Sequence, residues 1–172
     1  NAIVDVLAPC DAAFLEAKGL IPGSMQLVDE DQSATLYDAM AAGVEASGGS
    51  AGNTVAGVGS FGGKAAYIGR VADDTFGKLF AHDLRSIGVT FDSPLATGGL
   101  PTGRCLVIVT PDAQRTMCTY LGAGAELDTS YIDDALIEAA AVTYLEGYIW
   151  DPPAAKDAIR HGVVTTAGVV TS

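Results

Sequence analysis

Two Gly-rich stretches hold the residues best placed to do chemistry. The first is Gly48-Gly49-Ser50-Ala51-Gly52-Asn53, echoed further on by Gly69-Arg70-Val71-Ala72-Asp73-Asp74-Thr75-Phe76-Gly77. Paired glycines let backbone amides reach a ligand with no Cβ in the way. An Asn at a helix start can donate to and accept from a hydroxyl while its oxygen caps the helix. Taken alone, this stretch reads better as a plain turn closed by an N-cap. The second stretch, Gly57-Val-Gly59-Ser-Phe-Gly62, satisfies GxGxxG. Dinucleotide binding needs that motif after a strand and opening a helix, so that the helix N-terminus faces the pyrophosphate. Here it closes a helical stretch and precedes an extended one, which is the wrong order. There is no GxxxxGK[ST] loop. Cys10, Cys105 and Cys118 form no CxxC pair, and His82 and His161 have no ligand partners at metal spacing, so a metal site is not expected.

These residues need elements to position them. Ala2 to Ala8 is an apolar, β-branched run broken by Asp5 and predicts a strand. Asp11 to Lys18 predicts a helix stopped by Gly19, and Ser24 to Val28 a short strand. A helix then opens at Asp29, with Gln32 at the capping-box position, Glu30 and Asp31 in the first turn, and Leu36, Met40 and Val44 on one face. Ser47 to Asn53 reads as a loop, and Thr54 to Phe61 as a helix of small residues. Lys64 to Val71 predicts a strand. Asp73 or Asp74 can cap a helix over Phe76 to Ile87, with Gly88 as its stop. Cys105 to Thr110 and Thr116 to Leu121 predict a hairpin around Pro111-Asp112-Ala113-Gln114. Tyr131 to Ala140 reads as a helix and Val142 to Ile149 as a strand, after which Asp151-Pro152 opens a helix through Arg160. Gly162-Val-Val-Thr165, nearly repeated as Gly168-Val-Val-Thr171, suggests one or two short strands. Strands alternating with helices imply a parallel α/β sheet, with a small antiparallel appendage from the strands near 25 and 105–121.

Composition narrows the class. The chain has 172 residues, 17.5 kDa and 49% hydrophobic residues, which suits one compact domain and excludes a disordered one. Nine Lys and Arg against 21 Asp and Glu give a net charge of −12, with no basic run of three residues. Nucleic acid and anionic membranes draw their affinity from basic side chains, so neither is an expected partner. No apolar stretch approaches the roughly 18 residues of a membrane span, and the start lacks a basic signal-peptide region. It begins at Asn1 inside an apolar run, as a strand shortened at its front would. Three widely spaced cysteines fit reduced thiols and a cytoplasmic location.

The ordered motifs together resemble the N-terminal half of the PfkB (ribokinase-like) family of sugar and nucleoside kinases. Asn1-Ala-Ile-Val-Asp5 resembles the family's first-strand motif, Gly48-Gly49 with Asn53 its first signature, and Gly69 through Gly77 its helix-opening motif. Thr102-Gly103-Arg104, Arg115-Thr-Met and Leu121-Gly-Ala123 resemble its lid-proximal strands. Tyr144-Leu-Glu146-Gly-Tyr-Ile-Trp-Asp-Pro152 resembles the strand closing the sugar pocket, in a form similar to that of bacterial adenosine-kinase-like members. The match runs from residue 1 to about 160. It implies a three-layer αβα ribokinase-like fold with β-lid segments near 20–28 and 100–121, the chain as a whole forming the acceptor-binding part.

The resemblance also implies roles. Asp5 and Asn53 would bind ribose-type hydroxyls beside the Gly48 and Gly49 amides. Asn1 would add a ligand contact, and Met25 and Leu27 would cover the acceptor from the lid. Glu146 is divided between acceptor contact and holding a neighbouring loop. Arg115 sits where nucleoside kinases lean a cation over the transferring phosphate. The implied reaction is ATP- and Mg²⁺-dependent phosphoryl transfer to a nucleoside, adenosine-like, or to a ribose-type sugar, with lid-mediated homodimers known for some members. The family's Asp-Thr-x-Gly-Ala-Gly-Asp motif, whose amides form an anion hole and whose last Asp is the general base, has no counterpart. Leu121-Gly-Ala-Gly-Ala-Glu126 has the small residues but no Asp-Thr before them, and reads as a turn. The 172 residues are therefore expected to bind acceptor weakly and to transfer no phosphate. The alternative from another class is a non-catalytic ligand-binding or oligomerisation domain.

Overall fold

The structure is a computed structural model that describes residues 1–165 in full and Val169–Thr171 as backbone. The first strand, β1 (Ile3–Pro9), forms from the β-branched run, and α1 (Ala12–Ala17) follows, capped by Asp11. The short β2 (Met25–Leu27) leads into α2 (Glu30–Ala39). Helix α2 starts with the anticipated capping box: Asp29 accepts from the Gln32 amide, and the Gln32 side chain accepts from the Asp29 amide. Then come β3 (Val44–Gly48), α3 (Ser50–Ser60) and α4 (Thr75–Ser86), the last capped by Asp74 rather than Asp73. The hairpin consists of β4 (Thr102–Val109) and β5 (Arg115–Gly122). The chain finishes with α5 (Asp134–Glu138), β6 (Thr143–Leu145), α6 (Pro153–Thr165) and β7 (Val169–Thr171).

The expected separate appendage is part of a larger sheet. Five strands run in the order β2-β5-β4-β1-β3, with β1 parallel to β4, β2 parallel to β5, and antiparallel pairs β1–β3 and β4–β5. The long hairpin thus joins the lid segments directly to β1. Strands β6 and β7 form a second, parallel pair.

The two faces of the five-stranded sheet differ, because successive side chains along a strand alternate. Val4, Val6, Leu106, Ile108 and Cys118 point to one face and form the main core with Leu15 of α1, Leu36 of α2 and Phe80 and Leu84 of α4. Phe80, Tyr67 and Phe91 meet edge-on or tilted there, with centroids 5.5 to 6.0 Å apart. The other face carries Ile3, Cys105 and Val107 as a separate small cluster with Val109 and Met117. Neither α2 nor α4 packs on that second face.

Several local expectations are corrected. Val44 is not on the α2 helix; it opens β3, because α2 ends at Ala39 with Met40 already extended. Ser47–Asn53 is not a loop. β3 runs to Gly48 and α3 begins at Ser50, with Gly49 at the N-cap making no side-chain cap bond. Residues 64–71 are extended but form only isolated bridges, Ala66 with Thr90 and, just beyond, Ala72 with Ala96. The stretch from Tyr131 to Ala140 divides into a 3-10 turn at Thr129–Tyr131 and the five-residue α5. Only Thr143–Leu145 of the predicted 142–149 strand pairs, and α6 starts at Pro153, where the Lys156 amide donates to the Pro152 carbonyl. Gly162–Thr165 continues α6, whereas Val169–Thr171 is a strand; Gly168 of the repeated run lies outside the described residues.

Candidate functional site

Asp5 lies mid-strand in β1 on the sheet face that carries no α2 or α4 packing. Its lateral partners are Ala46 on β3 and Cys105 on β4. Laterally paired residues share a face, so the row continues from Cys105 to Thr119 on β5 and to Leu27 on β2. The Thr119 hydroxyl donates to the Cys105 sulfur at 3.3 Å, and burial pushes the Cys105 thiol pKa up, with the Asp5 charge adding to it. Burial also raises the Asp5 carboxyl above its ordinary value. No side-chain or backbone donor satisfies that carboxylate within the chain's described hydrogen bonds. A half-buried carboxylate facing an open side of a sheet is poised to accept from a ligand.

Gly48 explains why the signature is glycine. A Cβ there would overlap the Asp5 carboxyl group, meeting its Cγ and both oxygens. Gly48 is the space in which the Asp5 head group sits. Gly49 is required twice over, because its φ is +80° and a Cβ would stand 2.6 Å from the Asn1 carbonyl oxygen. Asp5, Gly48, Gly49 and Asn1 are therefore brought together by β1–β3 pairing. Asn53 follows one helical turn after Gly49, within α3 rather than at its cap. Its amide donates to the Gly49 carbonyl at 2.8 Å, and its side chain is exposed.

Asn1 also faces a cleft of about 800 Å³ lined by α3, residues 64–68 and the β6 strand. Three buried side-chain oxygens without partners border that cleft: Asn1 Oδ1, Thr143 Oγ1 and Glu146 Oε2. The other Glu146 oxygen accepts from the Tyr144 hydroxyl at 3.1 Å. The Glu146 charge lies close enough to Tyr67 to add to the upward shift that burial imposes on its phenol. Glu146 thus reaches the Asn1 end of the cleft while its other oxygen holds Tyr144.

Met25 and Leu27 are exposed and share the Asp5 face, while Gln26 between them turns to Cys118 on the other face. They offer an apolar rim two strands beyond Cys105. Arg115 is not brought to Asp5. It pairs with Val109 at the tip end of the hairpin, four residues along β4 from Cys105, about 13 Å at strand spacing.

One position escaped the sequence reading. The Thr102 hydroxyl, buried, donates to Asp74 Oδ1 at 2.7 Å and accepts from the Ala72 amide at 2.9 Å, while the Thr102 amide donates to Asp74 Oδ2 at 2.8 Å. Asp74 Oδ1 also caps α4 through the Gly77 amide at 2.7 Å. A Cβ on Gly77 would collide with the Ala72 carbonyl and stand 2.9 Å from Thr102 Oγ1. The Gly69–Gly77 motif thus clamps the α4 N-terminus to the first residue of the hairpin. A Thr at the start of the Thr102-Gly-Arg-Cys run carried no local sign of that role.

The residues present do not fit ATP–Mg²⁺. Leu121–Glu126 ends β5 and enters a 3-10 turn in which Ala123 and Gly124 are fully buried and the Ala123 amide donates to the Pro101 carbonyl. The Ala123 amide is therefore already committed. Asp73 pairs with Lys78 at 2.8 Å, Asp74 is committed to Thr102, and among the described residues no cluster of three His, Cys, Asp or Glu could hold a metal ion.

This arrangement is the ribokinase-like α/β fold. The crystal structure of adenosine kinase from Sinorhizobium meliloti matches with a TM-score of 0.91 and 49% identity, over 99% of this chain and 54% of that one. A probable sugar kinase from Rhizobium etli matches at 0.88 and 43%, over 99% and 53%. The model of the pfkB family carbohydrate kinases matches residues 21–166, and the chain belongs to that family. Fructokinase-1 of Oryza sativa subsp. japonica is 32% identical over 101 residues, which is 58% of this chain and 31% of that protein. The chain spans about half the length of these solved relatives. Among the described residues, no helix is long and apolar enough to cross a membrane.

Proposed function

We propose that the chain is the acceptor-binding part of a PfkB kinase that phosphorylates a hydroxyl of a nucleoside, adenosine-like, or of a ribose-type sugar with ATP and Mg²⁺. The observation that carries this reading is the Asp5 carboxylate seated over Gly48, without a protein donor, on a sheet face rimmed by Met25 and Leu27. A carboxylate offers four lone-pair sites, enough to accept from two adjacent hydroxyls and fix a polyol in one orientation. The Gly48–Gly49 backbone can approach the same ring because neither residue carries a Cβ. Asn53, one turn into α3, is within this reading a second hydroxyl partner, and Asn1 and Glu146 extend the polar contacts toward β6. The apolar rim at Met25 and Leu27 suits a base, and excluding water there protects the attacking hydroxyl from competition. Arg115 needs the hairpin to bend inward before it can reach a transferring phosphate.

ATP, when bound, supplies the phosphoryl group; this chain's own residues orient the acceptor and desolvate it. Homodimerisation through the lid face is part of the same proposal, since Leu7, Met25, Leu27 and Val44 are exposed on it. A second reading, a ligand-binding or oligomerisation domain that performs no chemistry, has one observation in its favour: the exposed apolar side chains of Leu7, Met25, Leu27 and Val44, which a partner surface would cover without any chemistry. Calorimetry on the chain with adenosine, ribose and fructose tests the acceptor site. Heat with adenosine and less with the sugars is expected; no heat with any of them overturns the assignment. ADP release from ATP, Mg²⁺ and adenosine by the full gene product separates the kinase from the binding domain.

A further inference from the structure

The two ends of the β4–β5 hairpin come together at one place, and Arg70 stands there. Its Nη1 donates to the Glu126 carbonyl at 2.6 Å, and Nη2 lies 3.1 Å from Glu126 Oε2 and 3.3 Å from the Gly98 carbonyl. The guanidinium also lies over the Tyr131 ring, 5.6 Å from its centroid. Glu126 completes the link, because its Oε2 accepts from the Leu100 amide at 3.0 Å. Leu100 lies two residues before the hairpin, and Glu126 follows it by one 3-10 turn. The two exits are further joined by the Ala123 amide, which donates to the Pro101 carbonyl at 2.8 Å. Gly99, with φ +90°, has no room for a side chain because a Cβ would meet Glu126 and stand 2.7 Å from Arg70 Nη2. The Gly98–Gly99 turn is therefore wrapped around the ion pair rather than free to swing.

We propose that Arg70 is a positioning residue that sets the height of the β4–β5 hairpin, and with it the Cys105–Thr119–Leu27 row, relative to Asp5. The inference rests on the acceptor-site reading above. Arg70 touches no ligand in this scheme; it acts through Glu126 and the Gly98–Leu100 turn. A planar fork is needed, since one side chain contacts the two carbonyls and the carboxylate together, which an ammonium cannot span. The guanidinium is sheltered, with a side-chain exposure of 15%, while the Glu126 side chain is 36% exposed, so solvent screens the pair mainly from the carboxylate side.

Arg70→Met and Arg70→Lys, alone and with Glu126→Gln, test this on the 172-residue chain by two measurements. In the absence of ligand, amide hydrogen exchange at Leu100 and along Cys105–Thr119 should quicken in Arg70→Met, while α2 and α4 amides keep their protection. Adenosine affinity should fall roughly ten-fold in Arg70→Met and Glu126→Gln alike, with no further loss in the double variant and only partial recovery in Arg70→Lys. Exchange that rises equally in α4 and the hairpin would make Arg70 a general stabiliser and overturn the proposal. Unchanged exchange across the hairpin would do the same, as would wild-type affinity in Arg70→Met. If the wild-type chain binds no adenosine, the acceptor reading has failed, and the hairpin exchange still decides the role of Arg70.

Discussion

Gly48→Ala is the sharpest perturbation of the site, because one methyl group is aimed at one functional group. All three nearest atoms to the new Cβ belong to the Asp5 carboxyl group. Either the Asp5 side chain must leave its place or the β1–β3 pairing must open at the Ile3–Gly48 rung. Overpacking of this kind costs about 1–3 kcal/mol. In a domain of this size each kcal/mol lowers the melting temperature by about 2–4 °C, so a drop of about 2–12 °C is expected. The loss of acceptor binding should be larger. Two hydrogen bonds to an ionised group contribute roughly 1.5–3 kcal/mol each, and displacing the carboxylate forfeits most of one or both. An affinity loss of about 10- to 1000-fold follows, read by calorimetry with adenosine. The decisive control is a cycle with Asp5→Ala. Removing the Asp5 side chain empties the space, so Gly48→Ala should cost almost nothing in that background. If Gly48→Ala lowers the melting temperature equally with and without the Asp5 side chain, the clash is not with the carboxyl group and the account of the signature glycine is wrong.

The raised Asp5 pKa separates stability from binding. Burial disfavours the charged form, so the fold's preference for protonated Asp5 is fully present below the ordinary carboxylate pKa and is lost as pH rises through the raised folded value. Asp5→Asn should therefore melt higher than wild type at neutral pH, with the difference vanishing in acid, while acceptor affinity is lost; melting temperatures against pH check this. Wild-type acceptor affinity should weaken as pH falls through that same raised value, seen in calorimetry across the range. Thr102→Val keeps the shape but removes the hydroxyl that joins Asp74 to the Ala72 amide. The orphaned amide should cost about 1–3 kcal/mol, measured by urea denaturation, and a wild-type midpoint would show that the clamp contributes nothing.

What was legible in the sequence was what neighbouring residues decide. The α2 capping box, the α4 cap and the hairpin around Pro111–Gln114 are each written within a few residues of where they act; the capping box and hairpin formed as read, and of Asp73 and Asp74 it is Asp74 that caps α4. The signature stretch was legible as a family motif but not as geometry. Asp5 and Gly48 are 43 positions apart in the chain, and the reason for the glycine lies in the carboxylate that β1–β3 pairing delivers to it. The same cause explains the misread strand at 64–71. Its apolar pattern satisfies a strand's side-chain requirements, but pairing is a property of two segments, and its backbone finds only isolated bridges beside Thr90 and Ala96. Val44 and Met40 continue the helical spacing of Leu36, but Gly43 interrupts it, and the chain there passes too close to the Leu7 carbonyl for a Cβ as Val44 pairs beside Leu7. Arg70, Thr102 and Glu126 stayed silent for a related reason: each is an ordinary residue locally and acquires its role where the hairpin rejoins the body. The row that holds Asp5 is the extreme case. Asp5, Cys105, Thr119 and Leu27 come from four strands, and only the register of three separate pairings makes them neighbours. A slip of one residue in any of those pairings would turn its strand's contribution to the covered face. The row's alignment is therefore held in the sheet register, and the Arg70–Glu126 pair and the Asp74–Thr102 clamp fasten the hairpin's base beside it.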